Sequence, residues 1–281
     1  MSKESVISVE AIVTNAMKLP GVRVNRKEFL AKIFGEKVST EELTIILEDG
    51  SIKAGISPIK INKMAASLIE NRTLKSSGAS FVSGIPGGVA MAATIPADTL
   101  QFFGFSLRLA QEVAYLYGNK DFWDEDELDL DRVRVELMLF LGIMFGVGGS
   151  ASLLKVLSSK ISQKVLKDLP KKALTKKLYY RIIKQLGKLI GEKITKQTFA
   201  KAVSKAVPIF GGIVSGGLTY VSMKKMGSRL NNAFFESVNS SGEEELQADI
   251  KTVRKEMGDI IDAEFFEIAD ENEKDLVGNS K

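Results

Sequence analysis

Asp98, Gln101, Arg108 and Glu112 recur at helical spacing and form the strongest polar constellation in the chain. On a helix the four side chains share one face, where carboxylates and a guanidinium either pair internally or line a pocket for a polar ligand. Arg108 and Glu112 stand at i and i+4 and can pair with each other, while Asp98, close to a helix start, suits the helix dipole. The chain contains no histidine and no cysteine. That excludes imidazole- and thiolate-centred nucleophiles, the zinc and haem sites built on those ligands, and redox dithiols. Carboxylates, lysine, serine, threonine, tyrosine and arginine remain, so the composition leans away from an enzyme. No catalytic residue, metal ligand or cofactor is assigned.

Other chemical patterns fail on context. Residues 146–151, Gly-Val-Gly-Gly-Ser-Ala, fit a dinucleotide fingerprint but follow an apolar helical run rather than a strand. The acidic ribose ligand expected about 20 residues on is missing, because that region reads Leu169-Pro170-Lys171. There is no phosphate-binding loop of the G-x-x-x-x-G-K type and no G-x-S-x-G elbow. Asp121–Asp131 holds seven acids in eleven residues around Trp123, the only tryptophan. It lacks the alternating ligands and central glycine of a calcium loop and reads as a solvated connection.

The elements that must position these groups are helical. The periodicity predicts an all-α protein, a helical bundle containing three glycine-rich apolar helices or hairpins. Ser76–Ala97, Leu137–Leu154 and Ala206–Met223 are uncharged over 22, 18 and 18 residues, and each holds a Gly-x-x-x-Gly pair: Gly84/Gly88, Gly142/Gly146 and Gly212/Gly216. Glycines four apart lie on one helix face and let a second backbone approach closely. The lengths reach the membrane-spanning threshold, but Pro86, Pro96, Pro208 and the paired glycines interrupt them. Two arrangements fit: helices buried in a soluble bundle, or hairpins inserted in a membrane with the basic segment on its cytoplasmic side.

Along the chain, residues 1–75 read as an N-terminal helical cap with turns at Pro20-Gly21 and Asp49-Gly50; Thr44–Leu47 also fits a short strand. Residues 76–235 form the glycine-rich core, in which Pro96 opens a long helix ending at Gly118. Residues 236–281 make an acidic, helical and partly disordered tail, with a linker at Ser240–Glu245 and a charged helix from Leu246 to about Ala269. Glu4 and Glu10 interrupt the stretch before Pro20, which does not read as a secretory signal, so a cytoplasmic location is expected.

A net charge of +4 hides a strong asymmetry. Lys155–Lys205 carries 15 Lys/Arg against Asp168 and Glu192 alone, whereas Glu236–Lys281 carries 14 acids against 5 bases. Within the basic part, Leu174, Leu178, Ile182, Leu186 and Leu189 form an apolar stripe, with Lys176, Lys177, Arg181, Lys184 and Lys188 opposite. This is either a surface helix packed on the core or a helix facing anionic lipid. Tyr179 and Tyr180 are too few aromatics for a base-stacking platform, so no nucleic acid is expected.

The run from Ser83 through Pro96-Ala97-Asp98, with Gln101 and the stretch from Gln111 to Gly118, resembles the EcsC family of bacterial proteins. Leu19–Val22 with Arg26, Phe29 and Leu30, Leu141–Gly149, and Lys205–Tyr220 extend the resemblance over roughly residues 10–235. It implies a helical intracellular protein and brings no catalytic mechanism. The expected function is therefore non-enzymatic: peripheral association with the cytoplasmic face of a membrane through the glycine-rich hairpins and the basic amphipathic helix. Anionic lipid, a membrane protein or a second copy of the chain are the candidate partners. The alternatives are a soluble ligand-binding protein or enzyme with a pocket near Asp98, and a membrane-perturbing effector released when the acidic tail leaves the basic patch.

Overall fold

Side-chain caps decide where the N-terminal helices begin. The computed structural model describes residues 9–76, 97–123, 130–159, 182–187, 215–239 and 242–257. Helix α1 is Val9–Ala16. Asn25 starts α2, Arg26–Phe34, by accepting from the Glu28 amide at 2.9 Å. Ser39 and Glu42 form a reciprocal capping box at the head of α3, Thr40–Asp49. Thr44–Leu47 is thus helical, because that cap and the buried Ile46 commit the segment to α3 rather than to a strand. Pro58 opens α4, Pro58–Ser76, with the Ser57 hydroxyl accepting from the Lys60 amide.

Helix α5, Ala97–Leu116, is the element around which the others gather. Phe103, Leu107, Ala110, Val113, Ala114 and Leu116 are completely buried, and α1, α2, α4 and two later helices contact it. Those are α6, Leu130–Phe145, and α8, Ser215–Asn239; between them lies α7, Ser150–Ser158. Phe102 and Phe103 meet Phe145, while Tyr117 stacks on Phe234, which meets Phe140 edge-on, and Phe140 in turn meets Phe122 edge-on. One apolar core therefore runs from the N-terminal helices through α8, and all described regular structure is helical.

At its end α5 is closed by Gly118, whose φ of +88° lets the Gly118 and Asn119 amides return to Tyr115 and Ala114. The turn between α3 and α4 sits directly on this end. Ser51 Oγ donates to Leu116 O at 2.5 Å, and a Cβ on Gly50 would lie 2.8 Å from Gly118 Cα.

The uncharged stretch Leu137–Leu154 is not one helix, which corrects the reading of Gly142 and Gly146 as a pair on one helical face. α6 stops at Phe145, and Gly146, at φ +77°, lets the amides of residues 146 and 147 bond back to Ile143 and Gly142. Gly142 does allow close packing: a Cβ there would lie 2.9 Å from Ser150 Oγ and 3.2 Å from Ile182. In the third stretch Gly216 falls in the first turn of α8, while Gly84, Gly88 and Gly212 lie outside the described residues. Two contacts come from glycines outside any such pair. A Cβ on Gly227 would press to 2.8 Å from Ile69, letting α8 lie against α4, and one on Gly104 would press to 3.1 Å from Val22.

The tail helix α9, Glu243–Met257, starts earlier than expected, and residues beyond 257 lie outside the described set. It packs on α7 with Ile250 and Val253 buried. Lys155 Nζ reaches Asp249 at 2.9 Å and Glu236 at 3.5 Å, joining α7, α8 and α9. Burial opposes the Lys155 charge, but the two carboxylates outweigh it and hold the pKa above the usual 10.5. A folded pKa above the unfolded one means that the pairing contributes fully below that pH and is lost as the pH rises through the raised value.

Gly50→Ala places a side chain at φ +96° against the end of α5 and is expected to lower stability by about 3 kcal/mol in urea titration. Lys155→Met leaves Asp249 buried without its cation. Amide exchange in α9 at neutral pH is expected to speed up at least tenfold, about 1.4 kcal/mol, with α5 unchanged.

Candidate functional site

Glu112 is completely buried on the helix at the centre of the fold, so its charge must be met from within. Arg72, from α4, does this with a two-pronged contact: Nε to Oε2 at 2.8 Å and Nη2 to Oε1 at 2.7 Å. Arg108, one turn before Glu112, adds Nε to Oε1 at 3.1 Å and bonds the Gly21 carbonyl through Nη1. The side chains of Arg72 and Arg108 remain 31% and 29% exposed. The centre is therefore a sealed carboxylate with two guanidiniums reaching from it towards solvent.

Beside it, Gln111 fills every hydrogen-bonding position of its buried amide. Nε2 donates to Val22 O and Leu107 O at 2.9 Å, while Oε1 accepts from the Val24 amide at 3.2 Å and from Trp123 Nε1 at 2.6 Å. Trp123 in turn carries the Arg23 guanidinium 4.5 Å above its ring. The Asp121–Trp123 part of the expected solvated loop thus turns inward, because Tyr115 and Gln111 offer it hydrogen bonds. Tyr115 OH bonds Asp121 Oδ1 at 3.0 Å and accepts from the Phe122 amide at 3.2 Å. Burial raises the Tyr115 pKa well above the usual tyrosine range, so this hydroxyl stays protonated.

Two more buried groups extend this polar framework. Arg26 donates to the carbonyls of Leu47 at 2.5 Å and Asn119 at 2.9 Å, covering the exposed carbonyl end of α3; burial lowers its pKa. Tyr117 OH donates to Asn231 Oδ1 at 2.8 Å, and Asn231 Nδ2 donates to Asn62 Oδ1 at 2.5 Å, tying α5, α8 and α4 together.

Of the four expected pocket residues, Arg108 and Glu112 come together, Gln101 is half-buried, and the Asp98 side chain lies outside the described residues. The principal partner of Glu112, Arg72, had no signal in the sequence because it lies 40 residues away on another helix. Gln111 and Tyr115 stand in the run that carries the family resemblance, and nothing local in that run marks them as polar anchors. Of the five basic residues, Lys184 is described and exposed; Lys176, Lys177, Arg181 and Lys188 lie outside the described residues. Around Lys184, Ile182 and Leu186 are completely buried, and Gln185 Nε2 donates to Glu256 O at 3.1 Å.

Both Glu112 oxygens are engaged by guanidiniums, and burial keeps the Tyr115 hydroxyl protonated beside Asp121. Among the described residues no group of three or more acidic side chains could hold a metal ion. Glu112→Gln removes the shared counter-charge of two arginines that are each about a third exposed. The expected loss is about 2 kcal/mol of unfolding free energy, read by denaturant titration, with the larger share falling on the α4–α5 contact.

No protein-family model, no curated protein and no solved structure matches this chain.

Proposed function

We propose that this chain is a non-enzymatic helical protein that associates peripherally with an anionic membrane surface, on the cytoplasmic side, through its lysine-rich segment. The observation that carries this reading is the orientation of residues 182–187. Ile182 and Leu186, two members of the apolar stripe, are buried, Ile182 packing next to Gly142, while Lys184 is exposed. With these two members of the stripe committed to the core, the exposed Lys184 between them is left for an outside partner, and charge rather than apolar insertion would drive the contact. Among the described residues no helix is long and apolar enough to cross a membrane. The resemblance to the EcsC family over roughly residues 10–235 forms part of the proposal; it implies a helical intracellular protein and leaves the activity open.

Each lysine or arginine close to an anionic leaflet contributes about 1 kcal/mol, so five acting together supply enough for reversible binding at modest salt. The full chain is expected to sediment with anionic vesicles at low salt, to release as salt rises, and to ignore neutral vesicles. Replacing Lys176, Lys177, Arg181, Lys184 and Lys188 by Glu is expected to cut binding more than about a hundredfold. Undiminished binding by that variant, or salt-resistant binding to neutral vesicles, would sink the proposal.

A further inference from the structure

The pairing at Glu112 contains one more cation than its carboxylate needs. Arg72 alone engages both oxygens, at 2.8 and 2.7 Å. Arg108 shares Oε1 at 3.1 Å, and its other bond goes to a neutral carbonyl, that of Gly21. The trio therefore keeps a net positive charge, and burial of the carboxylate alone places that surplus on the two side chains that reach solvent.

Geometry adds to charge. Arg72 Nη2 and Arg108 Nε both bond the same oxygen, so the two guanidiniums sit within about 6 Å of each other. Each keeps N–H groups that no described residue accepts, on planar forks whose orientation Glu112 has already set. The adjoining loop continues the positive field: Lys18 and Arg23 are exposed and join no ion pair with a described residue, and Arg23 is braced on Trp123 at 4.5 Å. The acid near this loop, Asp121, is occupied by Tyr115 OH and the Trp123 amide, both at 3.0 Å.

We propose that Arg72 and Arg108, anchored from beneath by Glu112, form a recognition site for a single phosphate group. A terminal phosphate offers three acceptor oxygens and up to two negative charges, enough to bridge both forks at once; a carboxylate offers two oxygens and one charge. The phosphate arrives either on a lipid headgroup or in a soluble compound. The site is independent of the lysine-rich segment, so it stands or falls separately from the membrane reading.

The test is calorimetric titration of the full chain with inorganic phosphate and, in a second arm, with vesicles containing phosphatidic acid set against phosphatidylserine vesicles of equal negative charge. Saturable binding in at least one arm is expected, with a Kd below about 10 mM for inorganic phosphate if the soluble source is the right one. Tighter binding to phosphatidic acid vesicles than to phosphatidylserine vesicles of equal charge, with no binding of inorganic phosphate, assigns the phosphate to a lipid. Arg108→Gln leaves the two-pronged Arg72–Glu112 contact in place and is expected to fold and to bind at least about tenfold more weakly. Arg108→Lys keeps the charge but not the fork and is expected to lose about threefold, which separates fork recognition from simple charge. Lys184→Glu is expected to leave inorganic phosphate binding unchanged. No saturable binding in either arm, or equal binding by the wild type and Arg108→Gln, overturns the proposal.

Discussion

Helix α5 is enclosed by its neighbours, so the buried side chains of Glu112, Gln111 and Tyr115 must find their hydrogen-bond partners within the protein. Glu112 draws in Arg72 and with it α4; Gln111 draws in the backbone of Val22 and Val24 and the indole of Trp123. Tyr115 draws in the turn at Asp121, and Tyr117 draws in α8 through Asn231. Apolar burial supplies most of the stabilisation, but the core contacts of Phe103, Phe140 or Phe234 would tolerate several arrangements of the helices. The polar bonds tolerate few, since each misplaced helix would strand a buried donor or acceptor at a cost of about 1–3 kcal/mol.

Arginine performs a second, related task where helices end inside the protein. The last carbonyls of a helix have no intrahelical donor and carry the negative end of its dipole. Arg26 covers those of α3, and Arg229 donates to Met144 O near the end of α6 while resting over Gly146. A side chain at Gly146 would come within 3.2 Å of that guanidinium, so this glycine serves the turn and the arginine together. Burial lowers the pKa of both Arg26 and Arg229, as expected for cations drawn partly out of water.

Local patterns made the helical class legible, along with the extent of α5 and the Arg108–Glu112 pair, because periodicity, Pro96, Gly118 and an i, i+4 spacing are all read within a few residues. The rest depends on contacts between distant parts of the chain. Nothing near Glu112 names Arg72, and nothing near Tyr117 names Asn231. The Gly-x-x-x-Gly spacing pointed to packing between helices, yet Gly146 terminates one, while Gly227, where α8 meets α4, and Gly104, which faces the turn at Leu19 and Val22, make close contacts with no glycine four residues away. A spacing rule sees which face a glycine would occupy on an unbroken helix; it does not see that the helix stops at Phe145.

The proposed membrane role depends on the same division between inside and outside that organises α5. In residues 182–187 the apolar side is already spent on the core, so Lys184 is expected to rest at the lipid phosphates and no deeper. Because the chain has no cysteine, Lys184→Cys can carry a single spin label. Its depth on anionic vesicles, measured by power saturation, is the most direct test. A label held at the level of the phosphates is the result predicted; a label immersed among the acyl chains would contradict a peripheral, charge-driven contact.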